Sequence, residues 1–313
     1  MTSDHEARAG VLLMTYGSPS SLDDVGPYID AIRGGRPGDP ELVAEFRRRY
    51  EAIGGSPLIA ITKAQAAALE ARFDGGVLVR AAMRFSEPTI EAAIRELAAM
   101  SVTSIAAIVL SPQYSPLLMG GYGRAIDAAR AAIGDGAPEV EVAGAWFEEP
   151  ALLAALAGRI RASLAGFEPE RRESVPVLLT AHSLPLRVAR EEPDYLAQLS
   201  RSAELVAAAT DLDPSRWTFC WQSAGHEPGE WMKPDFADLM PTLSATGHRS
   251  VVVAPIQFLA DHLEVLYDVE IGAREQAEAS GLEFRRIESL NADPRLIDAL
   301  EAVARRSLLA AAI

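Results

Sequence analysis

The chain is poor in thiols: Cys220 is its one cysteine. That excludes a disulfide within the chain and a thiolate cage for an iron–sulfur cluster. Its setting, Trp217-Thr218-Phe219-Cys220-Trp221, makes it a packing residue rather than a nucleophile. Lysine is almost missing, with Lys63 and Lys233 alone, so the basic side chains are nearly all arginine, the forked donor suited to carboxylates. Positive charge is scarce as well. The net charge of −15 sets the surface against the phosphates of nucleic acid, so no nucleic-acid partner is expected. No apolar run approaches the ~20 residues of a spanning helix, and Met1-Thr2-Ser3-Asp4-His5-Glu6 lacks the apolar core of a signal peptide. A cytoplasmic protein without a membrane span is the expectation. The G-x-G-x-x-G fingerprint of dinucleotide sites is missing too, Gly54-Gly55 having the wrong spacing.

What the chain does have is a motif used twice. Val11-Leu12-Leu13-Met14-Thr15-Tyr16-Gly17-Ser18-Pro19 is echoed by Val177-Leu178-Leu179-Thr180-Ala181-His182-Ser183-Leu184-Pro185. Each copy reads as a buried strand that delivers one polar ring, Tyr16 or His182, onto a turn closed by proline. A second pair follows, with Ile108-Val109-Leu110-Ser111-Pro112-Gln113-Tyr114 matched by Val251-Val252-Val253-Ala254-Pro255-Ile256-Gln257-Phe258. Apolar runs at 11–14, 77–82, 104–110 and 138–144 recur at 175–181, 216–221, 250–256 and 283–287. Between them lie amphipathic stretches at 62–72, 88–100, 151–165 and 195–209, the second opening at Pro88. This alternation predicts an α/β protein of two similar Rossmann-like lobes, each a parallel sheet flanked by helices. At 313 residues there is room for two domains of ~150 residues each. The boundary falls near Trp146–Pro150, giving lobes 1–148 and 149–313 with the functional cleft between them, where open α/β sheets bind ligands at their strand ends.

Three groups of residues carry chemistry in this frame. His182, at a strand's carboxyl end, is a base near neutral pH and a metal ligand; the plainer reading is a structural histidine, against which stands its match to Tyr16. Asp261-His262-Leu263-Glu264-Val265-Leu266-Tyr267-Asp268-Val269-Glu270 reads as a helix in which Asp261, Glu264 and Asp268 share a face. The alternative is a solvated acidic face; beside a strand end, a row of carboxylates suits a hard cation or departing protons. The third group is Ile32-Arg33-Gly34-Gly35-Arg36 and Phe46-Arg47-Arg48-Arg49-Tyr50, followed by Gly54-Gly55-Ser56. Some of its arginines are helix surface; others suit substrate carboxylates, with backbone amides approaching an anion at the glycines.

Together these residues resemble the ferrochelatase family, which inserts ferrous iron into a porphyrin. The matching stretches are Leu13-Met14-Thr15-Tyr16-Gly17, Arg49-Tyr50-Glu51-Ala52-Ile53-Gly54-Gly55-Ser56-Pro57-Leu58, Leu110-Ser111-Pro112-Gln113-Tyr114-Ser115, Ala181-His182-Ser183-Leu184-Pro185, Trp221-Gln222-Ser223 with Trp231, and Asp261-His262-Leu263-Glu264-Val265-Leu266-Tyr267-Asp268. They keep the family's order over nearly the whole chain. The wording of the last is most similar to the soluble coproporphyrin III branch of Gram-positive-type bacteria.

The resemblance implies a type II chelatase-like fold and an enzyme making Fe-coproporphyrin III in haem biosynthesis. It implies His182 and Glu264 as catalytic, metal-binding residues facing each other across the cleft, with Asp268 as an outer metal or relay carboxylate. The next carboxylate of some relatives falls at Gly272. Tyr16, Arg33, Arg49, Tyr50, Ser56 and Tyr122 fall at porphyrin-contacting positions. The segment around Ser56 is one residue shorter than in some relatives, and Tyr122 is expected on a glycine loop. His262 is expected to hydrogen-bond behind Glu264, Trp231 to pack at the cleft wall or in the core, and His5, His226 and His248 to lie in tail or surface loops. Iron and porphyrin are then substrates, with no tightly bound cofactor, a monomeric state and a downstream haem-pathway enzyme as product acceptor. The rival readings are a protoporphyrin IX ferrochelatase, a chelatase for another tetrapyrrole such as sirohydrochlorin, and a porphyrin or haem carrier without turnover.

Overall fold

A computed structural model describes residues 8–225 and 229–310. His5 and His226 lie outside them. Among the described residues eight strands form two four-stranded sheets. The first contains β1 (Arg8–Thr15), β2 (Val77–Met83), β3 (Val102–Val109) and β4 (Glu139–Val142) in the order β2-β1-β3-β4. The second contains β5 (Val177–His182), β6 (Trp217–Gln222), β7 (Ser250–Pro255) and β8 (Glu283–Arg286) in the order β6-β5-β7-β8. Every pairing is parallel. The sequence-predicted α/β class, the eight strands and their duplicated order are all present.

Helices on a sheet's faces explain why its central strands read as unbroken apolar runs rather than alternating ones. Val11, Leu12, Leu13 and Met14 of β1 are wholly buried, as are Val251, Val252 and Val253 of β7. The four amphipathic stretches form the helices Leu58–Glu70, Ile90–Ala99, Pro150–Ala165 and Pro193–Thr210. The second starts later than expected. Pro88 stands outside it, and Thr89 caps it by accepting the Ala92 N–H at 3.1 Å. No helix among the described residues is long and apolar enough to cross a membrane.

The chain divides into two compact units, and the division corrects the expected lobe boundary at one end. The first unit runs through Trp146, close to the predicted 148, but the second ends at Leu290, and the chain from Asn291 on returns to the first. The reason is hydrophobic: the helix Pro294–Ala310 lays Leu296, Leu300 and Val303 against β3, β4 and the helix Leu58–Glu70. Sequential order alone placed 149–313 in one lobe. Leu300→Ala is expected to lower unfolding free energy by about 2–5 kcal/mol in urea titrations. Hydrogen exchange should quicken in β3 and β4; quickening in β7 and β8 instead would contradict this placement.

Candidate active site

In each sheet the strand order reverses between its two central strands, β1 and β3 or β5 and β7, and the connections leave in opposite directions there. That divergence opens a crevice at the strands' carboxyl ends. In the second unit, His182 is the last residue of β5. Its amide donates to Gln257 Oε1 at 2.7 Å, so the loop after β7 holds the end of β5. The next amide, Ser183 N, donates to the Gln222 carbonyl at 2.7 Å, and the Ser183 hydroxyl donates to the Met232 carbonyl at 3.1 Å. The rings of Trp231 and Phe258 flank the imidazole at 6.4 and 6.3 Å. Trp231 therefore belongs to the histidine's wall; the absence of a side chain at Gly225 lets the indole lie close to the backbone there.

The run after β7 is helical, but from Glu264 to Ala273 it is wound as a π-helix, an uncommon winding that recurs at functional sites. Glu264 is its first residue. Glu264 Oε2 lies 3.6 Å from His182 Nε2 and 3.8 Å from His262 Nε2. The glutamate and His182 thus belong to one unit, on neighbouring strand ends, rather than to opposite walls. Both imidazoles turn Nδ1 to a backbone carbonyl, Ser183 for His182 and Ala260 at 2.8 Å for His262. A carbonyl only accepts, so in each neutral ring the proton sits on Nδ1 and the Nε2 lone pair points toward the carboxylate. Lone pairs gathered on a carboxylate oxygen repel one another unless a cation, a proton or a metal ion, lies between them.

The titration of the cluster follows. Burial works against charge on Glu264, yet positive charge on the His182 and His262 rings outweighs it and holds the carboxyl below the usual carboxylate range. Burial likewise opposes the His262 cation, but Glu264, the Ala260 carbonyl and Asp261 raise its pKa above that of a free imidazole. The stability Glu264 contributes is present above the ordinary carboxylate pKa and lost as pH falls through the lowered folded value. That of His262 is present below the ordinary imidazole pKa and lost as pH rises through the raised one. The side chains of His182 and Glu264 remain 28% and 36% exposed.

The expected acidic row is only partly realised. Asp261 does not join Glu264: its Oδ1 accepts from the Ser289 hydroxyl at 2.7 Å and faces Arg286. Asp268 is half-buried, further along the π-helix. Among the described residues no group of three or more His, Cys, Asp or Glu is placed to hold a metal ion, so Asp268 is not brought into a ligand set with His182 and Glu264.

The matching crevice of the first unit carries different chemistry. Tyr16 follows β1 and is 45% exposed. Its ring lies 4.9 Å from Phe85 and 6.5 Å, edge-on, from Tyr122. The Arg84 guanidinium sits 4.6 Å from the Phe85 ring, 5.5 Å from Tyr16 and 5.6 Å from Tyr122, within cation–π range of each. Tyr122 is buried in the helix Pro116–Ile133 rather than on a glycine loop. Pro116 and the Ser115 cap, which accepts Leu118 N–H at 3.0 Å, start that helix despite its glycines. Burial and nearby Tyr16 push the Tyr122 hydroxyl pKa up, with Arg84 opposing in part. Gly121 has a steric purpose, since a Cβ there would lie 1.9 Å from the Arg84 guanidinium.

Arg84 is the residue that sequence reading missed. Its signal was position: Arg84 follows Met83, the last residue of β2, as Tyr16 follows Thr15, the last residue of β1. Of the other expected contacts, Arg33 ends the helix Val25–Ile32, exposed and without an acidic partner among the described residues. Arg49 and Tyr50 share the helix Pro40–Ala52, where Arg49 pairs with Glu45 at 2.8 Å and Tyr50 is buried. Arg48 and Arg49 together hold the Glu45 carboxyl down at about 2. Ser56 is half-buried just before the helix Leu58–Glu70.

Comparison with known proteins settles the lineage. The ferrochelatase family model matches residues 8–308. The chain belongs to the ferrochelatase family. It is therefore an enzyme of metal insertion into porphyrin. A ferrochelatase of Herpetosiphon aurantiacus is 35% identical over 302 residues, covering 95% of this chain and 98% of that one. A coproporphyrin III ferrochelatase of Geobacillus thermodenitrificans is 36% identical, covering 96% of each. Among solved structures, SirB from Bacillus subtilis with Fe3+ shares the fold, with a TM-score of 0.60 at 12% identity over 96% of this chain and 95% of that one.

Two measurements probe the site's electrostatics in this ferrochelatase-family chain. In Glu264→Gln, burial is left opposing charge on His262 with less to offset it, so the imidazole pKa read by NMR should fall; an unchanged value would break the coupling. Gly121→Ala should drive Arg84 from its three rings and alter the near-ultraviolet dichroism of Tyr16 and Tyr122. An unaltered spectrum would mean that the helix yields instead.

Proposed function

We propose that this protein inserts ferrous iron into coproporphyrin III, acting as a cytoplasmic monomer with His182 and Glu264 as the groups that receive the metal. The observation that carries the reading is the pair itself: Nε2 and Oε2, 3.6 Å apart, with the Nδ1 proton already committed to a carbonyl. Two metal–ligand bonds of roughly 2.1 Å bridge such a gap when the metal sits off the line between them. The reaction involves no redox change. Two pyrrole N–H bonds break, the ring nitrogens turn their electron pairs to iron, and two protons leave. As iron passes from Nε2 and Oε2 to the ring, those two atoms regain free electron pairs and can take one proton each. Metal and protons exchange places at the same two atoms, so no further base is needed.

Tyr16, exposed and stacked with Phe85 and Tyr122, offers an aromatic face and a phenol oxygen to the macrocycle. Arg33, Arg36 and Arg84 meet no acidic partner among the described residues and are suited to the carboxylates that coproporphyrin carries in greater number than protoporphyrin. The branch choice leans also on the Geobacillus relative named for coproporphyrin III and on the Asp261–Asp268 wording.

Anaerobic ferrous-iron insertion into coproporphyrin III and protoporphyrin IX, followed side by side by absorbance, is the test. A kcat/KM preference for coproporphyrin III is expected; preference for protoporphyrin IX would keep the chemistry and overturn the branch. His182→Ala and Glu264→Gln should each lower kcat by about 10²-fold or more while porphyrin affinity holds within a few-fold. Tight porphyrin binding without turnover would make the protein a carrier.

A further inference from the structure

Glu264 is held beside the two imidazoles by contacts outside the cluster itself. A π-helix is rarely stable on its own winding, and it persists where its surroundings determine it. Here those surroundings converge on one side chain. Arg286 is the last residue of β8, and only 12% of its side chain is exposed. Its Nε donates to Glu270 Oε2 at 2.9 Å, within the π-helix. Its Nη1 faces Asp261 Oδ1 at 3.4 Å and donates to the Ile287 carbonyl at 3.0 Å. The Ser289 hydroxyl, 3.3 Å from Nη1, donates to the same Asp261 oxygen at 2.7 Å. Asp261 and Glu270 lie on either side of Glu264 in sequence, so one largely buried guanidinium grips the π-helical segment before and after its first carboxylate.

The grip is referenced to the sheet. Arg286 pairs with Val253 of β7, and Val253 pairs with Leu178 of β5, the strand that ends at His182. A continuous path of ladder hydrogen bonds and ion pairs thus runs from His182 across β5, β7 and β8 to Arg286, then to the π-helix and Glu264. We infer that Arg286 is a positioning residue for the metal-receiving pair: it fixes the separation of Glu264 from His182 by clamping Asp261 and Glu270. Arg274 binds Glu270 from within the helical run itself, so it steadies that carboxylate without tying it to the sheet. This assignment rests on the proposed role of His182 and Glu264.

The test uses Arg286→Met, Arg286→Lys and Glu270→Gln in the full chain, with metal binding and exchange read before any porphyrin is added. Cobalt(II) binding is followed by its d–d absorbance, and hydrogen exchange is read peptide by peptide. In Arg286→Met the cobalt Kd is expected to rise about 10–100-fold, the range for loss of a residue that orients a metal ligand. Exchange should quicken in Glu264–Ala273 more than in β5 or β6, and coproporphyrin III affinity should stay within twofold. Arg286→Lys should fall between, since a compact ammonium does not reproduce a fork that holds two acids. Glu270→Gln should weaken cobalt binding less, and its effect should not add to that of Arg286→Met; it carries the comparison if Arg286→Met does not fold. An unchanged cobalt Kd with looser exchange would overturn the positioning role and leave Arg286 a stabilising contact. Uniform loosening of the second unit would overturn the clamp itself. If the wild-type chain binds no cobalt, the metal-receiving reading fails with it, while exchange in the π-helix still reports whether the clamp exists.

Discussion

The second unit depends on the place of β7 between β5 and β8. Three parallel strands in fixed register hold the imidazole of His182 at one strand end and the guanidinium of Arg286 at another, with the π-helical segment between them. A hydrogen-bonded ladder moves as one body, so side chains at its ends keep their separation without contacts to one another. The carboxylate of Glu264 is then presented to two Nε2 atoms whose lone pairs are already aimed at it.

The first unit repeats the winding and changes the chemistry. Tyr16 stands where His182 does, at the end of the central strand beside the reversal of strand order. Aromatic rings and one arginine replace the imidazoles and the carboxylate. A fold supplies the position; the residue placed there supplies the function. Gly121 illustrates the cost of such placement. A glycine inside a helix weakens it by ~1 kcal/mol relative to alanine, and here its missing side chain is the space that Arg84 occupies.

Much of this was legible in the chain. The strands showed because sheets covered on both faces need unbroken apolar runs, and the duplication showed because both copies keep their turn and proline. The nearness of His182 to Glu264 was legible from motif and strand end. Arg84 was not, because a lone arginine after a strand reads as surface until its aromatic neighbours are assembled from three separate segments. The acidic row misled in part: spacing of three and four assigns a face only under ordinary helical winding, and the segment is wound otherwise. Asp261, moreover, answers to an arginine twenty-five residues further along the chain.

The sequence by itself determined the local choices: which runs are strands, which residues end the central strands, and the family to which those motifs belong. Each depends on side chains near in the chain, where apolar periodicity and turn chemistry act. The tertiary structure decided the rest. It returned the last helix to the first unit, buried Tyr122, turned Asp261 and Glu270 to Arg286, and brought Glu264 toward two imidazoles. Those outcomes arise from packing and charge between distant segments, and no local pattern encodes which distant surface will be there to receive them.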